Sequence, residues 1–200
     1  MTSLVTLAQV RAHLQKEATD TTADALLTEL VTRASAACER WTSRTLASLG
    51  ASASIKRFPV AGAYVDLAPF DLRTATSVTL HPESTAPVVL VADDDYALDP
   101  VGATSLGTYT GLRLAVDQTL SSDYSARFGY CLVDVNATWG PTSVPDDVQH
   151  ACLLTVAAWY RRRIAGSGVV ATFDEPSDTA ENLPVDARSL LSPYRRLVAR

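Results

Sequence analysis

Apolar residues recur at helical spacing near the N-terminus and predict two helices there. Thr6 followed three residues later by Gln9 is a capping-box pattern, which predicts a short helix over residues 7–16. A longer apolar stripe predicts an amphipathic helix over residues 22–44, with Thr22 as its N-cap. This stripe consists of Leu26, Leu27, Leu30, Val31, Ala34, Ala37, Cys38 and Trp41.

A second pair of helices is predicted near the C-terminus. Pro145 suits a first helical position, and the two aspartates after it place negative charge at the start of the helix, where the dipole favours it. The apolar stripe that follows predicts a long helix to about Ile164. Residues 166–185 lack periodicity and are rich in small and polar residues, which predicts a functional or mobile loop. A short helix is expected from about Asp186, with an interruption at Pro193.

Between the two long helices, short apolar stretches divided by Pro and Gly predict strands. These stretches are residues 55–58, 64–67, 77–80, 88–91, 112–116 and 132–137. The last of them alternates regularly, but the pattern leaves open which face is buried. The predicted fold class is α+β: a small α-helical bundle of two long and two short helices, with an antiparallel β lobe inserted between the two long helices.

The predicted elements divide the chain into four parts. Residues 1–51 form the N-terminal helical part of a core, and residues 52–143 form the inserted antiparallel β lobe. Residues 144–166 supply the second long helix of the core, and residues 167–200 form a loop and a C-terminal tail. Because so few helices bury only a modest core, we expect neighbouring subunits to cover the remaining apolar stripe.

The overall composition excludes several classes of protein. The chain has 200 residues, of which 47% are hydrophobic, and this is enough to build a globular core. Its net charge of -5 argues against a protein that coats nucleic acid. Cys38, Cys131 and Cys152 lie far apart without CxxC spacing, which predicts reduced thiols. Neither a leader pattern nor an apolar run of membrane-spanning length is visible, so we expect an aqueous, cytoplasmic setting without a membrane.

The sequence offers no convincing catalytic or metal site. His150 and Cys152 point to different faces of one predicted helix, so both are expected to serve packing rather than a metal. The three aspartates at 93–95 lie between strand candidates, which favours an acidic turn over a cation site. No nucleophile motif or phosphate-binding glycine loop is present in the sequence. We therefore expect no enzyme activity, no catalytic residue and no cofactor.

Two clusters near the C-terminus are candidates for binding a partner or a neighbouring subunit. They comprise Leu190, Leu191, Tyr194, Arg195, Arg196, Arg161, Arg162 and Arg163. The arginine run at 161–163 can contact DNA, bind an acidic groove on a neighbour, or interact with the dipole at a helix end. Consecutive positions fan around a helix, so these arginines cannot all face one strand of DNA. The cluster at 190–196 can bind a partner or form a solvated tail.

The three tryptophans, Trp41, Trp139 and Trp159, are expected to be anchors of the core or of an interface. If Trp159 is buried, its replacement by alanine is expected to cost about 3–5 kcal/mol of stability.

Four short sequence blocks occur in a fixed order at the two ends of the chain. They are VTLAQVRAHL at 5–14; DALL at 24–27 with ASAACERWTSR at 34–44; TWG at 138–140 with VPDDVQHA at 144–151 and AWYRRR at 158–163; and LLSPYR at 190–195. In this order, with strands between the second and third, they resemble the head-tail connector (adaptor) family of long-tailed phages and gene transfer agents. The segment DYALD at 95–99 is the part of the predicted lobe that is similar to that family.

The resemblance implies a structural protein of the virion neck, assembled in the host cytoplasm. It implies a homo-oligomeric ring of twelve subunits that binds the portal protein after DNA packaging and receives a stopper or tail-completion protein on its other face. DNA then passes through the channel without sequence-specific binding. The C-terminal tail is expected to dock on the portal, and deletion of residues 190–200 is expected to leave the fold intact but weaken docking.

Two alternatives to the connector stay open. One is another neck or tail-completion protein of the virion that shares the same insertion plan. The other is a small cytoplasmic DNA-binding module, which the arginine clusters suggest and the acidic net charge disfavours.

Overall fold

α-Helices and antiparallel strands both form, which confirms the mixed α+β class. The computed structural model describes residues 3–17, 19–47, 49–60, 62–81, 87–115, 131–165 and 183–196. The chain divides into a helical unit, Met1–Leu46 with Val144–Arg200, and a β unit, Ala47–Ser143. Almost all of the loop expected at 166–185 lies outside the described residues.

The helices lie close to their predicted positions. Within the described residues they are α1 (Leu7–His13), α2 (Asp24–Thr42), α3 (Asp146–Ala165) and α4 (Val185–Leu191), and a 3-10 turn, Ser192–Tyr194, follows α4. The N-cap predicted for α2 is wrong, because Ala23 occupies that position and makes no side-chain hydrogen bond. Thr22 belongs to the preceding turn, where its backbone N–H donates to Asp20 Oδ1 at 3.1 Å. That turn delays the start of the helix by one residue.

The capping box predicted for α1 is present in full. Thr6 Oγ1 accepts from the Gln9 backbone N–H at 3.3 Å, and Gln9 Oε1 accepts from the Thr6 backbone N–H at 2.7 Å. We expect Thr6→Ala to lower the free energy of unfolding by about 1 kcal/mol, because it leaves a helix-end donor without its partner. Urea denaturation followed by circular dichroism measures the change. Thr6→Ser is the control and should stay near wild type, whereas equal losses in both variants would contradict a capping effect.

α2 and α3 pack against each other and supply most of the core of the helical unit. The buried apolar residues of α2 and α3 are Leu27, Leu30, Val31, Ala34, Ala37, Cys38, Val148, Ala151, Cys152, Val156 and Ala157. Cys38 and Cys152 are free thiols in this core, so the expectation that Cys152 serves packing is confirmed, whereas the same expectation for His150 is wrong, because His150 is exposed. The hydrogen bond with Cys152, together with burial, raises the pKa of the Cys38 thiol far above its usual value. This thiol is therefore neutral and unreactive at physiological pH.

The described residues of the β unit form two antiparallel sheets. The larger sheet has the strand order β1 (Ser54–Val60), β7 (Cys131–Trp139), β3 (Leu72–His81) and β4 (Val88–Leu90). The smaller sheet has the order β2 (Tyr64–Asp66), β6 (Gly111–Leu114) and β5 (Tyr96–Asp99). β5 was not among the predicted strands, and β3 begins at Leu72 rather than at residue 77. Two register shifts near the start of β3 interrupt the pairing with β7 and explain why its alternation was hard to recognise.

The structure shows which face of the alternating strand β7 is buried. Val133, Val135, Ala137 and Trp139 point into a core that residues of both sheets share. Trp139 is 1% exposed, and its Nε1–H donates to the Ser54 carbonyl at 2.9 Å. This tryptophan is therefore a core anchor, one of the two roles expected for it.

The opposite face of β7 carries a partly buried ion-pair cluster. Asp134 Oδ1 lies 2.5 Å from Arg57 Nε, and Asp134 Oδ2 lies 2.9 Å from His81 Nε2. The hydrogen bonds from Arg57 lower the pKa of Asp134 below its usual value of 3.8, although burial opposes the shift. The carboxylate therefore stabilises the fold above its unfolded pKa, and this contribution is lost as the pH falls.

We expect Asp134→Asn to reduce the acid sensitivity of the β unit. On acidification the wild-type protein loses the stability that the Asp134 carboxylate contributes, whereas the amide of the variant does not titrate. The difference in unfolding free energy between the two proteins therefore shrinks from about pH 5 towards about pH 2. Thermal unfolding across that range measures it. A difference that stays constant with pH would contradict the assignment.

Gly140 lies near the C-terminal end of the β unit and has little space around its Cα atom. Its φ is +77°, and a Cβ atom placed there would lie 2.7 Å from the Ala47 carbonyl oxygen. A side chain is excluded both by the left-handed backbone and by this close approach. Ala47 and Gly140 therefore lie side by side where the chain enters and leaves the unit.

Candidate functional site

The C-terminal candidate residues fold back onto the helical unit. Leu191 is 0% exposed and Leu190 is half-buried, and Ala187 in the same short helix is also fully buried. The Arg196 backbone N–H donates to the Thr42 carbonyl at 2.8 Å, at the end of α2. The expectation that residues 190–200 contribute little to the core is therefore wrong, because α4 packs its apolar face against α3.

Tyr194 and Arg195 each contact a residue of a long helix. The Arg195 guanidinium lies over the Trp41 ring, with Cζ 5.3 Å from the ring centroid, which is a cation–π geometry. Burial raises the pKa of Tyr194, and the charge and hydrogen bond of Asp147 raise it further. Tyr194 therefore stays protonated at neutral pH. Through Asp147 it links the C-terminal segment to the first turn of α3.

The arginine run lies in the last turns of α3, far from this contact. Arg161, Arg162 and Arg163 are all exposed. At 1.5 Å per residue, Arg162 lies roughly 22 Å along the helix axis from Asp147, so the fold does not bring the two candidate clusters together. Arg161 lines a hollow of about 390 Å³ with His13 and other residues, whereas Arg162 and Arg163 line a different groove. Arg161 therefore lines a different surface from the other two arginines of the run.

The groove that Arg162 and Arg163 line has a volume of about 510 Å³ and lies between α2 and α3. Its other lining residues are Leu30, Arg33, Ala36, Ala37, Arg40 and Trp159. Four apolar side chains are thus flanked by four arginines, and we call this surface the Arg–Trp groove. Arg33 Nη2 pairs with Glu29 Oε1 at 2.5 Å, and both of these side chains remain well exposed.

Sequence reasoning identified part of this groove and missed the rest. Arg162 and Arg163 were candidates, and Trp159 was expected as an anchor, but Arg33 and Arg40 were not singled out. These two arginines are seven residues apart and therefore share one face of α2. That spacing, beside the small residues Ala36 and Ala37, is the signal that would have found them.

The half-buried position of Trp159 changes the expected effect of its removal. We expect Trp159→Ala to cost about 1–2 kcal/mol of unfolding free energy, below the loss for a fully buried tryptophan, because part of the ring already contacts solvent. Chemical denaturation measures it. A loss as large as that of a core tryptophan would mean that the ring carries more of the helical packing than its exposure indicates.

The acidic triplet at 93–95 forms a turn, as predicted. Asp95 Oδ2 accepts from the Val91 backbone N–H at 2.7 Å, and Asp93 has a φ of +68°. Across the described ranges, no group of three or more His, Cys, Asp or Glu side chains is placed to hold a metal ion. Among the helices of the described part of the chain, none has both the length and the hydropathy of a membrane span.

Comparisons with known proteins add two findings. The family model described as head completion protein matches residues 3–197, which is nearly the whole chain. A solved structure, the neck of an empty GTA (gene transfer agent) particle computed with C6 symmetry, contains a chain of similar fold with a TM-score of 0.58. The two chains are 17% identical, and the alignment covers 98% of this chain and 92% of that one. No curated protein sequence matches the chain.

Proposed function

The chain belongs to the head completion protein family, and we propose that it is the head-tail connector subunit that forms a ring under the portal after DNA packaging. Its role is structural, in the virion neck at the head-tail interface. The observation that carries this conclusion is the family match over residues 3–197, because it includes both the helical and the β unit. The resemblance of the four ordered sequence blocks to head-tail connectors is thereby confirmed.

The proposed assembly is a homo-oligomeric ring of twelve subunits. The neck structure with the similar fold was computed with C6 symmetry, and a ring of twelve is compatible with a sixfold axis. In this arrangement the helical unit acts as a small bundle that forms the body of the ring, and the β unit is a lobe inserted between its two long helices. Residues 1–51 and 144–166 contribute the body, residues 52–143 the lobe, and residues 167–200 the docking tail.

The proposed partners are the portal on one face of the ring and a stopper or tail-completion protein on the other. Arg195 is exposed, and Tyr194 and Arg196 are partly exposed, so these groups are accessible for docking on the portal. Leu191 is fully buried and Leu190 is half-buried, so these two leucines pack the segment onto the helical unit. We take the function to be mechanical joining without catalysis, and DNA to pass through the channel without sequence-specific contacts.

Imaging of the purified chain mixed with its portal protein tests this function. We expect rings bound to one end of the portal in negative-stain images. A strictly monomeric chain that ignores the portal would overturn the proposal. Retention by the tail tube instead of the portal would identify a different neck protein, and tight DNA binding at physiological salt would favour the DNA-binding alternative.

A further inference from the structure

The Arg–Trp groove has the character of a protein-binding surface. It combines apolar side chains of α2 with a half-exposed tryptophan and a rim of arginines, and aromatic residues and Arg are enriched where proteins bind each other. Arg33 pairs with Glu29, and both of these side chains remain exposed. The groove thus presents apolar side chains beside arginines, and it fits an occupant that is apolar and acidic.

The β unit carries a surface of that complementary kind. Among the described strands, β4 lies at the edge of the larger sheet, and Val88, Val89 and Val91 on and beside it are 43%, 64% and 56% exposed. The acidic turn follows directly, with Asp93 and Asp94 exposed. We call this surface, from Val88 to Asp94, the Val–Asp patch. An exposed apolar edge strand is a liability for a soluble protein unless something covers it.

The distribution of charge between the units supports the same match. Residues 47–143 contain ten acidic and five basic residues, whereas the acidic and basic residues of the helical unit balance. The whole net charge of -5 is therefore carried by the β unit. A β unit from one copy is attracted to a surface flanked by arginines on another.

We propose that the Val–Asp patch of one subunit docks in the Arg–Trp groove of the next copy of this chain. This inference rests on the ring proposed above. It identifies the two surfaces through which neighbouring subunits of that ring contact each other. The two surfaces differ, so each subunit offers a patch to one neighbour and a groove to the other. Such a head-to-tail contact generates a closed ring when the rotation between subunits is a fraction of a full turn.

Charge reversal on each surface tests the pairing. The groove variant is Arg40→Glu with Arg163→Glu, and the patch variant is Val89→Lys with Asp94→Lys; Asp93 is left intact because its backbone is left-handed. Each variant alone is expected to need about 100-fold more protein for half-assembly, because like charges then face each other across the contact. Assembly is measured by sedimentation of the full chain, alone and with its portal, after circular dichroism has confirmed folding.

The decisive sample is an equimolar mixture of the two variants. In an alternating ring every contact is either wild type or fully reversed, so we expect mixed rings at concentrations within about tenfold of wild type. Glu17→Lys is the control: it also reverses an exposed charge of the helical unit, but Glu17 lines neither surface, and this variant should assemble like wild type.

Three results would overturn the inference. The first is normal ring formation by the groove variant, and the second is failure of the mixture to assemble. The third is a groove variant that forms rings but no longer binds the portal or DNA, which would assign the groove to that partner. A wild-type chain without rings, even with its portal, would instead overturn the proposed function itself.

Discussion

Replacing Trp139 with alanine is expected to lower the unfolding free energy of the β unit by about 3–5 kcal/mol. The side chain is 1% exposed, and its ring centroid lies 5.7 Å from that of Phe58 and 6.1 Å from that of Phe70. Truncation leaves a cavity among these rings, and it also leaves the Ser54 carbonyl without its hydrogen bond from Nε1. Both effects act on the strand that lies between β1 and β3.

Guanidinium denaturation followed by far-ultraviolet circular dichroism measures this loss. Trp139→Phe is the control, because it keeps an aromatic ring in the core and removes the N–H donor; we expect it to lose about 1–3 kcal/mol. Unfolding of Trp139→Ala at the wild-type midpoint would show that the two sheets do not depend on this side chain.

Replacing Leu191 with alanine is expected to lower the unfolding free energy of the helical unit by about 2–5 kcal/mol. Leu191 is 0% exposed and lies in the same short helix as the fully buried Ala187. Its truncation opens a cavity beneath the C-terminal segment, which otherwise is held by contacts of Tyr194 and Arg195. Deletion of residues 190–200 should therefore destabilise the helical unit as well as remove a docking surface.

Leu190→Ala provides the comparison, because Leu190 is only half-buried and one position removed on the same helix. Thermal unfolding should show a clearly larger fall in Tm for Leu191→Ala than for Leu190→Ala. Equal shifts would mean that α4 is loosely packed. To test portal docking, a substitution at the exposed Arg195 is therefore a better variant than deletion of residues 190–200, because the deletion also removes the buried Leu191.

The helices were predictable because their signals are local. The capping box of α1 and the apolar periodicity of α2 and α3 lie within the segments themselves, and the structure reproduces them within a few residues. β5 and the first half of β3 were not predictable, because register shifts and short pairings depend on strands that are distant in sequence. The buried face of β7 likewise became clear only from the second sheet that covers it.

The candidate site, like the fold, was predictable from the sequence only in part. The arginine run at 161–163 stands out in the sequence, but its grouping with Arg33 and Arg40 depends on the packing of α2 against α3. The C-terminal residues were correctly placed in a short helix, whereas the burial of Leu191 depends on the surface that the long helices offer. Tertiary packing, which one sequence does not reveal, decided which candidates are exposed.

The contact between Ala47 and Gly140 means that the chain enters and leaves the β unit at a single place. A segment whose ends adjoin can be lengthened, trimmed or exchanged without stretching the residues on either side. Changes of length within the β unit are therefore expected to leave the packing of the helical unit in place.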